Sequence, residues 1–475
     1  MRHERSQTKI IATIGPASAP KEVLRKMFLE GIDACRLNFS HGTREEHLKV
    51  IKTIRELNEE LRSNVAILAD LQGPKLRVGK IAGGEVEVKQ DETVEFVIDK
   101  EKAKGHKLHV KYQEFPRDVK DGDTVLIDDG KIKLQVLETN GVDTVKAQVV
   151  HGGIISSHKG VNLPDTRISL PSLTEKDLQD ADFALQQDVD WIALSFVRTV
   201  TDVADLKKLI EEKGKHAGVI AKIEKPEALK EIDEIIDLSD GIMVARGDLG
   251  VEVSFDRIPL IQKDIVAKCI AKARPVIIAT QMMESMINNF RPTRAEATDV
   301  ANAVLDSADA LMLSGETSVG KYPVEVIRYM QQIIDYTEQK GFVFNREHSS
   351  KEISSTFLPD SICANAAHLL EKTGANSIVT FTHSGYTASR ISSHRPNASI
   401  YAFTSNRLLL PKLSMIWGVR AYHFKSYENI DDSIKHSIEY LKKEVLIKHG
   451  DLIVHVGSTP PYQKGQTNMM KLSNV

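Results

Sequence analysis

Several short apolar runs in this chain end in residues whose types belong to the chemistry of anions and cations. Lys222 and Glu224 close the run GVIAKIE; Arg246, Gly247 and Asp248 follow GIMVA; Thr280 follows PVIIA; Ser314, Gly315 and Glu316 follow ALML; and Arg36, Asn38 and Ser40 lie in ACRLNFS, just before His41. In an extended strand alternate side chains share a face, so Lys222 lies beside Glu224, and Arg36 beside Asn38 and Ser40. Two carboxylates from neighbouring segments, Glu224 and Asp248, close to a fixed ammonium suit a divalent cation that keeps water ligands and borrows substrate oxygens, typically Mg²⁺. Moving a phosphoryl group calls for positive charge around its equatorial oxygens more than for a protein nucleophile, and Arg36, Lys222 and the metal would supply it. Taken singly, a charged residue at a strand end is an ordinary solvated group. Arg36 could equally pair with a structural carboxylate, and His41 could serve as a hydrogen bonder at a helix start. Convergence of many such residues on one rim is what argues for a site.

That convergence depends on how the runs are arranged. KIIATIG, ACRLNFS and VAILADL alternate with helix-patterned segments starting near Pro20 and spanning 45–62, the mark of parallel strands with crossover helices. The alternation breaks at Gly79. Up to Val150 the chain instead carries EVEVKQ, TVEFVID, TVLID, KIKLQVLE and TVKAQVV, separated by Gly83-Gly84, Gly122, Asp129-Gly130 and Asn140-Gly141, which reads as a small inserted β domain. From about Leu170 the alternation resumes through WIALSF, GVIAKIE, GIMVARG, PVIIAT and ALMLSG, making eight strands over roughly 240 residues, the size of a closed (β/α)₈ barrel. A doubly wound open sheet is the alternative. In a closed barrel the C-terminal strand ends form the active face, where all the residues above would lie. The expected organisation is an α/β chain: a TIM barrel from residues 1–71 and 170–341, a small β-barrel lid at 72–169, and a C-terminal α/β domain at 342–475.

Composition closes off other classes. The chain has 475 residues, 41% hydrophobic and 27% charged, with a net charge of −3, so no bulk positive field exists to draw nucleic acid or anionic lipid. Cys35, Cys269 and Cys363 lie far apart without C-x-x-C spacing, as in a reducing compartment, and none has catalytic or metal-binding spacing. The apolar stretch from Ile10 to Ile14 is too short for a signal-peptide core and no run approaches a membrane span, so a cytoplasmic protein is expected. Gly315 to Tyr322 nearly matches a P-loop, but Tyr322 stands where that loop needs Ser or Thr to reach Mg²⁺, and no G-x-G-x-x-G follows the first strand.

These residues, in this order, resemble the pyruvate kinase family. The likeness rests on TKIIATIGPAS (Thr8 to Ser18), RLNFSHG (Arg36 to Gly42), DLQGPKLRVG (Asp70 to Gly79), KGVNLP (Lys159 to Pro164), AKIEKPEAL (Ala221 to Leu229), VARGDLGVE (Val244 to Glu252), ATQMMESM (Ala279 to Met286), RPTRAEATDVANAVLD (Arg291 to Asp306) and LSGETSVGKYP (Leu313 to Pro323). It implies transfer of the phosphoryl group of phosphoenolpyruvate to ADP, giving pyruvate and ATP, with Mg²⁺ or Mn²⁺, in a homotetramer. It implies Lys222 as transition-state stabiliser, Arg36 as phosphoryl clamp, and Glu224 and Asp248 as metal ligands. Gly247, Asp248 and Thr280 would bind the substrate carboxylate, and Thr280 with a relayed water would protonate the enolate. Arg77 and Lys159 would contact the nucleotide phosphates, with Pro16, Asn38 and His41 nearby, so that lid closure completes the site and excludes water.

One departure matters. Members of the family that need K⁺ read D-T-K-G-P-E-I-R where this chain reads Asp70 to Arg77, so that Lys75 stands in the place of an acidic residue. The resemblance is therefore to the K⁺-independent branch, with Lys75 doing the ion's electrostatic work and Asn38, Ser40 and Asp70 left as positioning residues. In the C-terminal domain, Thr380, Thr382, Ser384, Gly385 and Thr387 follow a strand and open a helix, either an ordinary helix cap or a phosphate cradle. That segment resembles the family's effector loop, which would take a sugar phosphate or a nucleoside monophosphate, with the loop 457–468 bordering the same pocket. A lyase or aldolase on a pyruvate-binding barrel would use the same acidic pair to hold an enolate but would need neither Arg77, Lys159 nor the lid. A non-catalytic metabolite sensor would require loss of a key group, and none is lost.

Overall fold

Eight apolar segments become parallel strands because each is buried on both faces. In order they are Lys9–Thr13, Ala34–Asn38, Ala66–Asp70, Trp191–Leu194, Gly218–Ile223, Gly241–Ala245, Val276–Ala279 and Ala310–Leu313, and the first pairs with both the second and the eighth, closing the barrel. The structure is a computed structural model and describes residues 6–100, 103, 107–341, 343–345, 355–425, 429–459 and 466–475. Outward-facing residues such as Ile10, Cys35, Ile67, Ile192 and Val219 pack against the surrounding helices, while Ile11, Ala34, Leu68, Ala193, Ile220, Met243 and Ile277 fill the interior. On five of the eight strands the next interior position is polar: Thr13, Arg36, Asp70, Ser195 and Lys222.

The helices start where the sequence offers caps. Thr43 with Glu46, Thr174 with Asp177, and Thr293 with Glu296 each form a capping box, satisfying backbone N–H groups that a helix start otherwise leaves unpaired.

Between the third and fourth barrel strands the inserted segment forms a curled six-stranded sheet. Its order is Val161–Asn162, Thr124–Ile127, Ile132–Thr139, Thr144–His151, Thr93–Val97 and Lys107–His109, and a separate pair joins Glu85–Val88 to Gly153–Ser156. Gly141 takes the left-handed backbone (φ +67°) that the Asn140-Gly141 hairpin requires. The short strands at 107–109, 153–156 and 161–162 carry too little alternation to be seen in the sequence. The two chain crossings between barrel and insert are themselves paired through a bridge from Arg77 to Gly160.

The C-terminal part has a five-stranded sheet in the order Val419–His423, Ser399–Thr404, Ser377–Phe381, Leu452–Gly457 and Met469–Asn474, the last antiparallel. Its first helix, Phe357–Thr373, carries Pro359 in its first turn, where the missing N–H costs nothing. This part closes the bottom of the barrel. Met415 packs among the interior residues, Arg395 pairs with Asp309 at 2.9 Å and lies over the Trp417 ring, and the Trp417 N–H donates to the other Asp309 oxygen. All three cysteines are buried and free, and burial pushes their thiols up, away from thiolate chemistry. Among the described residues no helix is long and apolar enough to cross a membrane.

Candidate active site

The polar end of the barrel interior is built around Asp70. Arg36 Nε donates to Asp70 Oδ2 at 2.6 Å, Lys222 Nζ lies 3.2 Å from Asp70 Oδ1, and the carboxylate side chain is 1% exposed. Lys222 also reaches Glu224 Oε1 at 2.9 Å and donates to Ser195 Oγ at 2.6 Å. Arg36 in turn donates to Thr13 Oγ1 at 3.0 Å. Period-two geometry from three separate strands thus brings two cations and two anions within hydrogen-bonding reach. Burial opposes ionisation of Asp70, yet Lys222 and Arg36 outweigh it and hold the carboxyl below its usual range. Burial likewise opposes the Lys222 charge, but Asp70 and Glu224 push its pKa up, so it stays cationic. Burial raises Glu224; Lys222 acts against that rise and the negative charge of Asp248 adds to it.

Glu224 is fixed by more than Lys222: its Oε2 accepts the Phe196 N–H at 2.7 Å. Phe196 has φ +54°, a left-handed turn directly after the fourth barrel strand. Asp248, in the first turn of the helix Arg246–Glu252, is partly exposed, and Lys75 approaches its Oδ1 to 3.5 Å. Two acidic side chains that repel each other electrostatically, one buried and one open to the mouth, are a donor set that fits a hard divalent cation, with waters and ligand oxygens completing the shell.

Thr280 follows the seventh strand at φ +70°, an unfavourable conformation for a β-branched residue, of the kind that functional sites retain. Its hydroxyl accepts the Gly247 N–H at 2.7 Å and donates to the Ala279 carbonyl. The Gly247 donor is therefore aimed at the place where Thr280 presents its oxygen. Arg246 turns the other way, pairing with Asp299 through both nitrogens at 2.7 Å and with the Thr280 carbonyl. Glu316 is also diverted from the rim, since its buried carboxylate accepts the Ser314 and Met283 N–H groups.

At the lid edge Arg77 donates to the His158 carbonyl at 3.1 Å, while Lys159 is paired at 2.7 Å with Asp128 of the insert. His41 is exposed, and burial followed by the charges of Arg77, Arg36 and Lys75 holds its imidazole below the ordinary range. The mouth is thus a region of positive potential. Asn38 turns its carbonyl back to the Ser40 N–H, and Pro16 is exposed in the loop after the first strand. Lys75 is set against Asp248, while Asp70 is already shared by Arg36 and Lys222. Lys75 is thus directed to a candidate metal ligand, while Asn38 and Asp70, which the resemblance linked to it, have other partners.

The C-terminal segment is mixed. Thr382 Oγ1 accepts the Gly385 N–H at 2.9 Å and Thr387 pairs with Thr467, neither bond capping the helix Tyr386–Ser393, while Thr380 is buried in its strand. Ser384 and Gly385 line a cavity of about 610 Å³ shared with Arg274 of the barrel underside and Lys412. Residues 460–465 of the neighbouring loop lie outside the described residues.

Sequence reasoning passed over Ser195, Thr13 and the Phe196 N–H. Ser195 carries the same signal as its neighbours, a polar residue closing an apolar strand, and Thr13 sits one alternation beyond Ile11. The backbone donor of Phe196 has no side-chain signature. Replacing Asp70 with Asn leaves two buried cations facing one carboxylate, which costs about 3–5 kcal/mol of folding stability in denaturant titrations at neutral pH. Because the native carboxyl titrates below its unfolded value, its stabilisation is complete above the unfolded pKa and is lost as pH falls through the native one, so Asp70→Asn also flattens the acid limb of the stability curve.

Comparison with known proteins bears on the family of the chain. The pyruvate kinase barrel-domain family model matches residues 5–327 and the pyruvate kinase alpha/beta-domain model residues 360–473. A pyruvate kinase of Corynebacterium glutamicum is 41% identical over 464 residues, covering 98% of this chain and 96% of that protein. One from Geobacillus stearothermophilus is 41% identical over 98% of this chain and 80% of its own length. The crystal structure of a pyruvate kinase from Cryptosporidium parvum superposes with a TM-score of 0.92 at 36% identity, covering 99% of this chain and 96% of that one. With both domain models matched and full-length relatives at this identity, the chain belongs to the pyruvate kinase family and is a phosphotransferase.

Proposed function

We propose that this chain transfers the phosphoryl group of phosphoenolpyruvate to ADP, releasing pyruvate and ATP. The observation that carries the reading is the fixed ammonium of Lys222, 2.9 Å from Glu224 and 3.2 Å from Asp70, with Arg36 on the other side of the same carboxylate. Arg36 and Lys222 face the equatorial oxygens of the phosphoryl group and bind it more tightly as negative charge spreads over them, which lowers the barrier. The Asp248 N–H, with the Gly247 N–H and the Thr280 hydroxyl once they exchange their bonds to Thr280 and to the Ala279 carbonyl for the ligand, orients the substrate carboxylate. A Mg²⁺ or Mn²⁺ ion held by Glu224 and Asp248 would add positive charge at the transferring group. As the enol oxygen–phosphorus bond breaks and the ADP oxygen–phosphorus bond forms, the enolate takes a proton at carbon, delivered through a water that Thr280 holds. Arg77 and Lys159 on the lid edge bind the nucleotide phosphates, Lys159 exchanging Asp128 for the ligand, with Pro16, Asn38 and His41 lining the approach. A coupled assay for pyruvate tests the reading: the parent turns over, and Lys222→Met loses at least about a hundredfold in kcat. A parent without turnover in either metal refutes it.

K⁺ independence belongs to the same proposal. Lys75 sets a fixed ammonium against Asp248 at the mouth, and a monovalent ion that came within about 4 Å of it would meet roughly 4 kcal/mol of repulsion at an effective dielectric near 20. In a tetramethylammonium buffer the parent should show full activity, and Lys75→Glu should acquire activation by KCl. Strong K⁺ activation of the parent excludes the idea.

Regulation through the C-terminal domain in a cytoplasmic homotetramer completes the proposal. Its support is the cavity of about 610 Å³ beside Ser384 and Gly385, where Arg274 and Lys412 offer positive charge to a sugar phosphate or nucleoside monophosphate. Phosphoenolpyruvate saturation curves with ribose 5-phosphate and with AMP, on protein whose mass is read by light scattering, should shift to lower concentration in a four-chain species. Unshifted curves reject the regulation, and a monomer mass rejects the tetramer.

A further inference from the structure

Where the insert returns to the barrel, one carboxylate oxygen receives two partners from different parts of the chain. Lys225 Nζ lies 2.7 Å from Glu252 Oε1, and Asn162 Nδ2 donates to the same atom at 2.8 Å. The two charged side chains are 6% and 0% exposed. A buried ion pair of this kind is a weak source of stability, since well-packed apolar residues of similar volume fold as well or better. Its connections are more informative than its energy. Lys225 directly follows Glu224. Glu252 is the last residue of the helix Arg246–Glu252 whose first turn carries Asp248. Asn162 lies on the return crossing, three residues after Lys159 and two after the bridge that joins Gly160 to Arg77. A single oxygen therefore ties together the segments behind both acidic side chains and the return crossing, which bears Lys159 and is bridged to the outgoing crossing at Arg77.

We propose that Lys225, Glu252 and Asn162 form a positioning latch, through which the seating of the lid and the spacing of Glu224 from Asp248 are set jointly. The latch rests on the reading of Glu224 and Asp248 as divalent-cation ligands and of Arg77 and Lys159 as nucleotide contacts. None of its three members touches a reacting atom. They act by holding residues that do, and a lid drawn onto the barrel by nucleotide would tighten the same oxygen on which the cation loops depend.

The test compares the full-length parent with Asn162→Ala, which removes only the lid link, and with Lys225→Met/Glu252→Leu, which leaves no lone buried charge. Uptake of Mn²⁺ without substrates is read from the loss of the free-ion electron spin resonance signal. ADP and phosphoenolpyruvate KM values, kcat, and amide hydrogen exchange at residues 76–78 and 159–163 complete the set. Asn162→Ala should keep its thermal midpoint and phosphoenolpyruvate KM, raise the ADP KM about tenfold and speed exchange at both crossings. The double variant should fold, show the same faster exchange, and bind Mn²⁺ about tenfold more weakly. Parental ADP KM and exchange in Asn162→Ala, or parental Mn²⁺ affinity in the folded double variant, overturns the latch while leaving the ligand assignment intact. A parent that takes up no Mn²⁺, or whose Glu224→Gln variant takes up as much as the parent, overturns the assignment and the latch with it.

Discussion

Two like charges held close together inside a protein need a shared counter-charge, and at the rim of this barrel Asp70 supplies it. Arg36 and Lys222 each face one oxygen of its buried carboxylate. Without that carboxylate their mutual repulsion, in an environment far less polarisable than water, would drive one of them out of the interior. With it, both cations stand fixed, Arg36 donating further to Thr13, and Lys222 to Ser195 and Glu224. A site that must stabilise charge appearing on a transferring group benefits from cations that are already in place and need no reorganisation.

That arrangement is affordable because the barrel beneath it is packed and sealed. Alanines at 34, 66, 193, 279 and 310 leave room inside for Ile11, Leu68, Ile220 and Met312, and Met415 from the C-terminal part closes the floor against Trp191. The Asp309–Arg395 pair and the Trp417 N–H bond anchor the floor to the barrel through buried polar contacts. Stability is concentrated at one end of the cylinder, and the charged, strained residues are left to the other.

The lid edge is the part of the site most open to rearrangement. Lys159 is paired inside the insert and Lys75 with Asp248, and both pairs are partly exposed, so water and a competing anion can exchange with either at small cost. The contacts that do not face solvent lie behind, at Asn162, Lys225 and Glu252.

The eight-strand alternation, the inserted β segment and the C-terminal α/β part follow from the sequence alone, because apolar periodicity and Gly-marked turns are local properties. So does the list of polar strand ends, including Lys222, Glu224, Arg36, Asp248 and Thr280. Partner choice is not local. Nothing in the spacing says that Asp70 would be the common counter-ion of Arg36 and Lys222, that Ser195 would accept from Lys222, or that Arg246 and Glu316 would turn away to Asp299 and to backbone N–H groups. The short strands at 107–109, 153–156 and 161–162 were hidden for the same reason: their pairing comes from neighbours distant in sequence, which only closure of the sheet brings alongside. Sequence determined which side chains reach the rim, through a period of two; the tertiary structure decided which charges meet there, because the distance between strand ends is set by the barrel as a whole.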